Sequence, residues 1–229
     1  MDDADRRRML GLFTSFFEGV TDACFASDLA DKNIVLLLED RGRLCGFTTL
    51  RYYRATAADE EELDIVYSGD TIVDPAVWNG SLLAPAWIAA VERLHRESGS
   101  HRRLLWLLIT SGFRTYRFLP LFWREFHPRH DSPTPSTVRR TLDGLADERW
   151  GRWYDPSTGV VRFPSPQVLR PRMRGIPPSR LRNPHVDFFA RVNRGHERGD
   201  ELVCLTEIAE SNLTSAGRRM VGRGRSLVL

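Results

Sequence analysis

Lysine is almost missing from this chain of 229 residues: Lys32 stands alone, although Lys and Arg together number 33. Positive charge is therefore carried by Arg, whose planar guanidinium grips phosphate and carboxylate through paired hydrogen bonds, so anionic partners are expected. Cysteine is also scarce. Cys24, Cys45 and Cys204 are far apart and form no CxxC pair, which argues against a disulfide framework and against a metal site and fits a reducing compartment. Long apolar runs are absent. The longest, Ile34–Leu38 and Leu104–Ile109, fall far short of the roughly 20 residues that cross a bilayer, and the opening MDDADRRRML lacks the apolar stretch of a signal peptide. A soluble cytoplasmic protein without membrane contact is expected. Nor does charge of one sign dominate: 33 basic residues face 30 acidic ones. Nucleic acid is thus not the favoured partner, although Arg102-Arg103, Arg114, Arg117, Arg139-Arg140, the Arg cluster of 170–182 and Arg218–Arg225 are its natural contacts. There are no repeats and no low-complexity tracts.

Apolar residues make up 41% of the chain, enough for a real core. Met9, Leu10, Phe13, Phe16 and Phe17 recur at helical spacing and predict a helix over 4–18; a shorter one is expected over Asp22–Leu29. IVLLLED and RLCGFTTLRYY flank Asp40-Arg41-Gly42, a hairpin signal. The stretch Leu63–Arg129 then reads strand, break, helix, strand, basic-aromatic helix. In its last helix Phe118, Leu121, Phe122 and Phe126 share one face and are expected in the core. HPRHDSPTPS, with three Pro in ten residues, ends that unit. A helix over 136–149, a hairpin over Trp153–Phe163, a wrapping loop over 164–184 with six Pro, a helix over His185–Val192, a strand over Glu201–Ile208 and a helix over Leu213–Met220 capped by Ser211 complete the reading. GRGRSLVL is expected to fray.

A strand-to-helix break holding a Gly, here Trp78-Asn79-Gly80-Ser81-Leu82, offers backbone N–H groups and a helix N-terminus to a phosphate-bearing ligand. Acid and base candidates lie nearby: Glu61, Glu62 and Asp64 at the mouth of the strand, and Glu125 and His127 in an aromatic patch with Phe122, Trp123 and Phe126.

The order helix, hairpin, strand, helix, strand, helix, with the hairpin RGRLCGFTTL before a strand that ends Val73-Asp74-Pro75, resembles the GNAT superfamily of N-acyltransferases over roughly residues 5–130. The resemblance implies an α/β (α+β) fold: a central mixed, mostly antiparallel sheet flanked by helices. Residues 1–130 would form the acyltransferase core, and 131–229 a C-terminal α/β extension packed on it. It implies a thioester donor, acetyl-CoA or a longer acyl-CoA, with an acyl-carrier protein as a further donor. Its acceptor would be an amine-bearing small molecule or peptide, and no metal would be needed. The donor would lie along Tyr67–Val73, with Thr71, Ile72 and Val73 pairing to it, Ser68-Gly69 supplying a bulge and a backbone N–H polarising the carbonyl. Asn79, Gly80, Ser81 and Leu82 would hold the pyrophosphate, with Ser111 and Arg114 across from them. Two departures stand out. The phosphate loop has one Gly and no Arg, which shifts the donor toward a carrier protein. Phe122 falls where the family often places a proton-donating Tyr, leaving Tyr116 or His127 as substitutes. Asp64, Glu125 and His127 are the candidate bases. A degenerate GNAT-like binding protein and an RNA-binding protein are the competing readings, and nothing fixes the oligomeric state, a homodimer included.

Overall fold

The computed structural model of the protein describes residues 1–77 and 82–226. In chain order the elements are α1 (Asp3–Phe16), β1 (Phe17–Glu18), α2 (Asp22–Ala30), β2 (Ile34–Asp40), β3 (Arg43–Thr56), β4 (Glu62–Val73), α3 (Leu83–Glu97), β5 (Arg103–Thr110), α4 (Phe113–Tyr116), α5 (Phe118–Phe122), α6 (Ser136–Trp150), β6 (Tyr154–Asp155), β7 (Val160–Val161), β8 (Val168–Leu169), α7 (Pro184–Val192), β9 (Glu201–Glu207) and α8 (Ser215–Arg225). Seven strands form one sheet in the order β2-β3-β4-β5-β9-β7-β6. β4 and β5 run parallel, joined by α3; the remaining neighbours are antiparallel. The expected mixed, mostly antiparallel sheet is therefore present. Residues on both sides of position 130 share it, because β9 enters between β5 and β7.

Both faces of the sheet are covered, which is why RLLWLLIT reads as a continuous apolar run rather than an alternating one. Val66, Trp106, Leu108 and Cys204 point to the side of α3, α5, α7 and α8, where they meet Trp87, Ile88, Leu119, Phe189 and Val221. Ile65, Tyr67, Leu105, Leu107 and Val203 point the other way, onto Leu142, Leu145, Ala146 and Trp150 of α6. Further along that second face, α1 and α2 close over Phe47 and Ile72 with Met9, Phe13 and Phe25. The three Phe rings of this corner, Phe13, Phe25 and Phe47, meet edge to face, the arrangement their quadrupoles favour.

The chain departs from the sequence reading in two places. The basic-aromatic helix breaks: Trp123 is extended and bridges to Leu213, so residues 122 and 126 are not one helical turn apart. The buried stripe becomes Phe113, Tyr116, Leu119 and Trp123, whereas Phe118 and Leu121 stay 36% and 47% exposed. At the C-terminus the helix extends to Arg225 and is capped by Thr214, whose hydroxyl accepts from the Gly217 N–H at 3.0 Å, rather than by Ser211. A side chain at Gly217 would run into the Phe122 carbonyl and one at Gly224 into that of Pro85, so these glycines let α8 lie close against α5 and α3. Gly222 to Arg225 of the tail expected to fray thus belong to α8, and Leu227, Val228 and Leu229 lie outside the described residues.

Candidate active site at the splayed strands

β4 and β5 part company. Their shared ladder runs from Leu63–Arg103 to Ser68–Leu108 and stops, while β4 continues to Val73 along β3 and β5 continues to Thr110 along β9. A wedge opens between them. At its root β4 carries a bulge: Thr48 pairs with Thr71 and Leu50 with Ser68, so Thr49 alone faces both Gly69 and Asp70. A bulge of this kind turns the strand and re-aims its side chains. On the α3 side the root is closed by Trp106, whose indole N–H donates to Ser68 Oγ at 2.9 Å, packed against Trp87 and Trp123.

On the α6 side the bulge faces a buried group of charges. Lys32, just after α2, has a fully buried side chain. Its ammonium donates to Asp28 Oδ1 at 2.7 Å and to the Asp28 carbonyl at 3.1 Å, and lies 3.6 Å from Asp31 Oδ2 and 5.3 Å from the centre of the Tyr67 ring. Asp31 is also gripped by Arg51 and Arg149. Burial alone would raise its carboxyl, but Arg149, Lys32 and Arg51 outweigh burial and hold it below its ordinary value. The opposite holds for Asp70 and Glu201. Burial, then the charge of Asp28, pushes Asp70 up to about 8 against the pull of Lys32. Burial, then Asp70 and Asp28, pushes Glu201 up to about 8. The Thr49 hydroxyl is sealed from solvent with no hydrogen-bond partner, which is costly unless something else meets it, while the Asp70 carboxyl, held protonated, shares a hydrogen bond with Asp28. Glu201 opens β9, one residue beyond the Leu202–Thr110 pair, so the two carboxylates flank the wedge from its two sides.

The sequence candidates are spread unevenly around this point. Thr71, Ile72 and Val73 lie on the length of β4 beyond the bulge. The Thr71 hydroxyl shares a hydrogen bond of 2.8 Å with that of Thr48, and the Ile72 side chain is buried against α1. Trp78, Asn79, Gly80 and Ser81 lie outside the described residues; Leu82 precedes α3. Ser111 and Arg114 meet across a small recess whose far wall is Leu169, Met173 and Arg174 of the wrapping segment. That segment is tied down over the α1–α2 connection by the β8–β1 pair, by Arg170 donating to the Thr14 carbonyl at 2.7 Å and by Arg174 on Glu18.

The proposed acid and base groups sit elsewhere. Asp64 lies five residues before the bulge, about 17 Å along an extended strand. It is buried, with Oδ2 at 3.3 Å from His95 Nδ1, which is itself 3.2 Å from the Tyr52 hydroxyl. Tyr116 is fully buried and donates to the Pro128 carbonyl at 2.9 Å, and burial raises its hydroxyl well above the ordinary value. Glu125 is an exposed partner of Arg129. His127 is buried, exchanges backbone hydrogen bonds of 2.8 Å with Leu205, and burial lowers its ring. Sequence reasoning passed over Lys32, Asp70 and Glu201. The one usable signal was Lys32 itself, an amine in a chain that otherwise uses Arg.

No protein-family model matches the sequence, and no curated protein matches it. Among solved structures the chain is similar to a glucosamine-6-phosphate N-acetyltransferase from Arabidopsis thaliana, 14% identical over 46% of this chain and 77% of that one with a TM-score of 0.34. It is also similar to an acetyltransferase from Trypanosoma brucei, 18% identical over 59% of this chain and 96% of that one with a TM-score of 0.38. The chain's own topology combines the α1–α2 pair, the antiparallel β2-β3-β4 run, the α3 crossover and the parallel β5 that splays from β4. Among the described residues no three His, Cys, Asp or Glu side chains are grouped to hold a metal ion, and no helix is long and apolar enough to cross a membrane.

Proposed function

We propose that the protein moves an acyl group from a thioester, either an acyl-CoA or an acylated carrier protein, to an amine by direct attack. The observation that carries this reading is the wedge with a bulge at its root. Where β4 runs past β5, an extended donor arm can lie along Thr71–Val73 as an added strand would, with Leu82 before α3 toward its phosphate end and Ser111 and Arg114 across from it. The residues at the root fit such a donor: hydroxyls and a strand edge suit a neutral, extended amide chain, and a backbone N–H turned by the bulge can polarise a thioester carbonyl. Asp70 serves as the proton acceptor, with Glu201 behind it. A carboxylate whose pKa sits near the working pH exists in the basic form often enough and still binds the proton well. Asp64, Glu125, His127 and Tyr116 then keep structural tasks.

The test is thermal and chemical. Acetyl-CoA, a long-chain acyl-CoA and an acylated carrier protein should be compared as stabilising ligands; a donor present at about a hundredfold its Kd adds roughly 2.7 kcal/mol. Amide products from a panel of amines should then be sought by mass spectrometry. No stabilisation by any donor sinks the reading. Stabilisation without product favours a donor-binding protein, a reading supported by one observation: the Tyr116 hydroxyl is already committed to Pro128.

A further inference from the structure

We propose that Lys32 is itself an acyl acceptor, so that the chain acylates its own side chain from a thioester held in the wedge. The inference rests on the donor reading above and adds a modification site to it. Gly69 is the first β4 residue beyond the last rung shared with β5. A Cβ placed on it would collide with the Lys32 side chain, with Nζ 3.2 Å away, and would lie 2.6 Å from Thr49 Oγ1. The glycine thus leaves a slot through which the lysine reaches the root of the wedge. Lys32 is the only side-chain amine of its kind in the chain, and it is spent on no surface task, because its side chain is fully buried. The unpartnered Thr49 hydroxyl beside it marks the spot as polar, sealed and incompletely satisfied.

The chemistry balances with groups already present. The ammonium gives one proton to Asp28, whose Oδ1 is 2.7 Å away. The amine lone pair attacks the thioester carbonyl carbon, a C–N bond forms, the C–S bond breaks with its electrons going to sulfur, and the remaining surplus proton on nitrogen passes to Asp70 or to the leaving thiolate. The products are an amide on Lys32 and a free thiol. The surroundings tolerate the lost positive charge. Asp31 keeps Arg51 and Arg149, Asp28 is partly open to water, and the new amide still offers an N–H. The amide is stable, so the reaction stops at one acyl group per chain.

Wild type and Lys32→Arg should be incubated with acetyl-CoA, and the products read by intact mass and peptide mapping. In parallel, a non-transferable thioether analogue of the donor reports binding by thermal shift. The expected result is one acetyl group on wild type, mapped to residue 32, formed at least tenfold faster in the folded chain than in urea, and absent from Lys32→Arg. Four outcomes overturn the proposal. Analogue binding without an adduct does so and leaves the donor reading standing; neither binding nor adduct overturns both. Acetylation of the Met1 amine alone, or equal rates folded and unfolded, also sinks it, since ordinary amine reactivity then suffices. Mapping on wild type keeps the test decisive even if the arginine variant does not fold.

Discussion

Trp106 donates its indole N–H to Ser68 Oγ at 2.9 Å, across the last turn of ladder before β4 and β5 separate. Both groups are buried, so the bond acts as a rivet at the root of the wedge. Trp106→Phe removes the donor and leaves the hydroxyl unpaired. It should cost about 2–3 kcal/mol in urea unfolding, from the stranded acceptor together with the volume lost between Trp87 and Trp123. Ser68→Ala should cost less, and a double-mutant cycle should return a coupling of about 1 kcal/mol. Additive losses would show that the bond contributes nothing.

The Asp70 and Glu201 carboxyls make stability depend on pH in a direction opposite to that of ordinary ion-paired acids. Each is pushed up to about 8 by burial first and by neighbouring carboxylates second, whereas in the unfolded chain both titrate near pH 4. Between those values the folded state holds the extra protons. Their contribution is therefore complete below about pH 4 and is lost as pH rises through 8. Asp70→Asn keeps the shape and removes the titration. We expect it to match wild type at pH 5 and to exceed it at pH 9 by about 2 kcal/mol, which corresponds to roughly 4–8 °C in Tm for a chain of this size. A wild-type stability that rises steadily from pH 5 to 9 would refute the assignment.

Much of the fold was legible because periodicity carried it. The α1 stripe of Met9 and Phe13 followed from spacing, the Asp40-Arg41-Gly42 turn from its turn residues, and the β5 strand from its apolar run. The break after Phe122 did not, because nothing local distinguishes it: Trp123 turns extended to pair with Leu213, ninety residues away in sequence. The site was harder still. Asp64 and His127 looked like chemistry because acids and histidines near aromatic residues often are, yet one faces His95 and the other is locked beside Leu205. Asp70 fell inside the expected strand Tyr67–Val73 and drew no role of its own. The bulge expected at Ser68-Gly69 is present, but which side chain its one-residue mismatch between β3 and β4 swings under α2 depends on the register, which composition does not carry.

Asp64 and His95 form a clamp at the far end of the sheet, joining β4 to the last turn of α3, with the Tyr52 hydroxyl on the same ring nitrogen. Removing the imidazole leaves the buried Asp64 carboxyl leaning on the Tyr52 hydroxyl. His95→Ala should therefore cost about 1–3 kcal/mol, and the stabilisation gained on adding acetyl-CoA should be the same as in wild type, since the change lies far from the bulge. A loss of donor stabilisation in His95→Ala would return Asp64 to the list of functional groups.

Tyr116→Phe separates two roles for one hydroxyl. A hydroxyl that only serves the Pro128 carbonyl should cost about 1 kcal/mol of stability when removed and leave the rate of thioester consumption within about twofold. A hydroxyl that protonates a leaving thiolate would cost a hundredfold or so in rate, the usual range for a positioned acid. The first outcome is expected, and measuring urea midpoints and rates on the same preparations distinguishes them.

Gly69 and Gly144 should respond to alanine with opposite signs. At Gly69 a methyl group meets Thr49 Oγ1 at 2.6 Å and presses into the Lys32 side chain. Thr49 is fixed in β3 and Lys32 is pinned by Asp28, so neither can retreat without losing packing or an ion pair. Overpacking of this kind costs about 1–3 kcal/mol. Gly144 is an exposed position within α6, and an added Cβ there meets nothing within 4 Å. Alanine at that site gains helix propensity and reduces the freedom of the unfolded chain, for about 0.5–1 kcal/mol of added stability. Urea midpoints that move down for Gly69→Ala and up for Gly144→Ala, at unchanged slope, would confirm that the first glycine is kept for the lysine slot. A neutral Gly69→Ala would mean that Lys32 moves freely, and the buried charge group at the wedge would then have no fixed geometry.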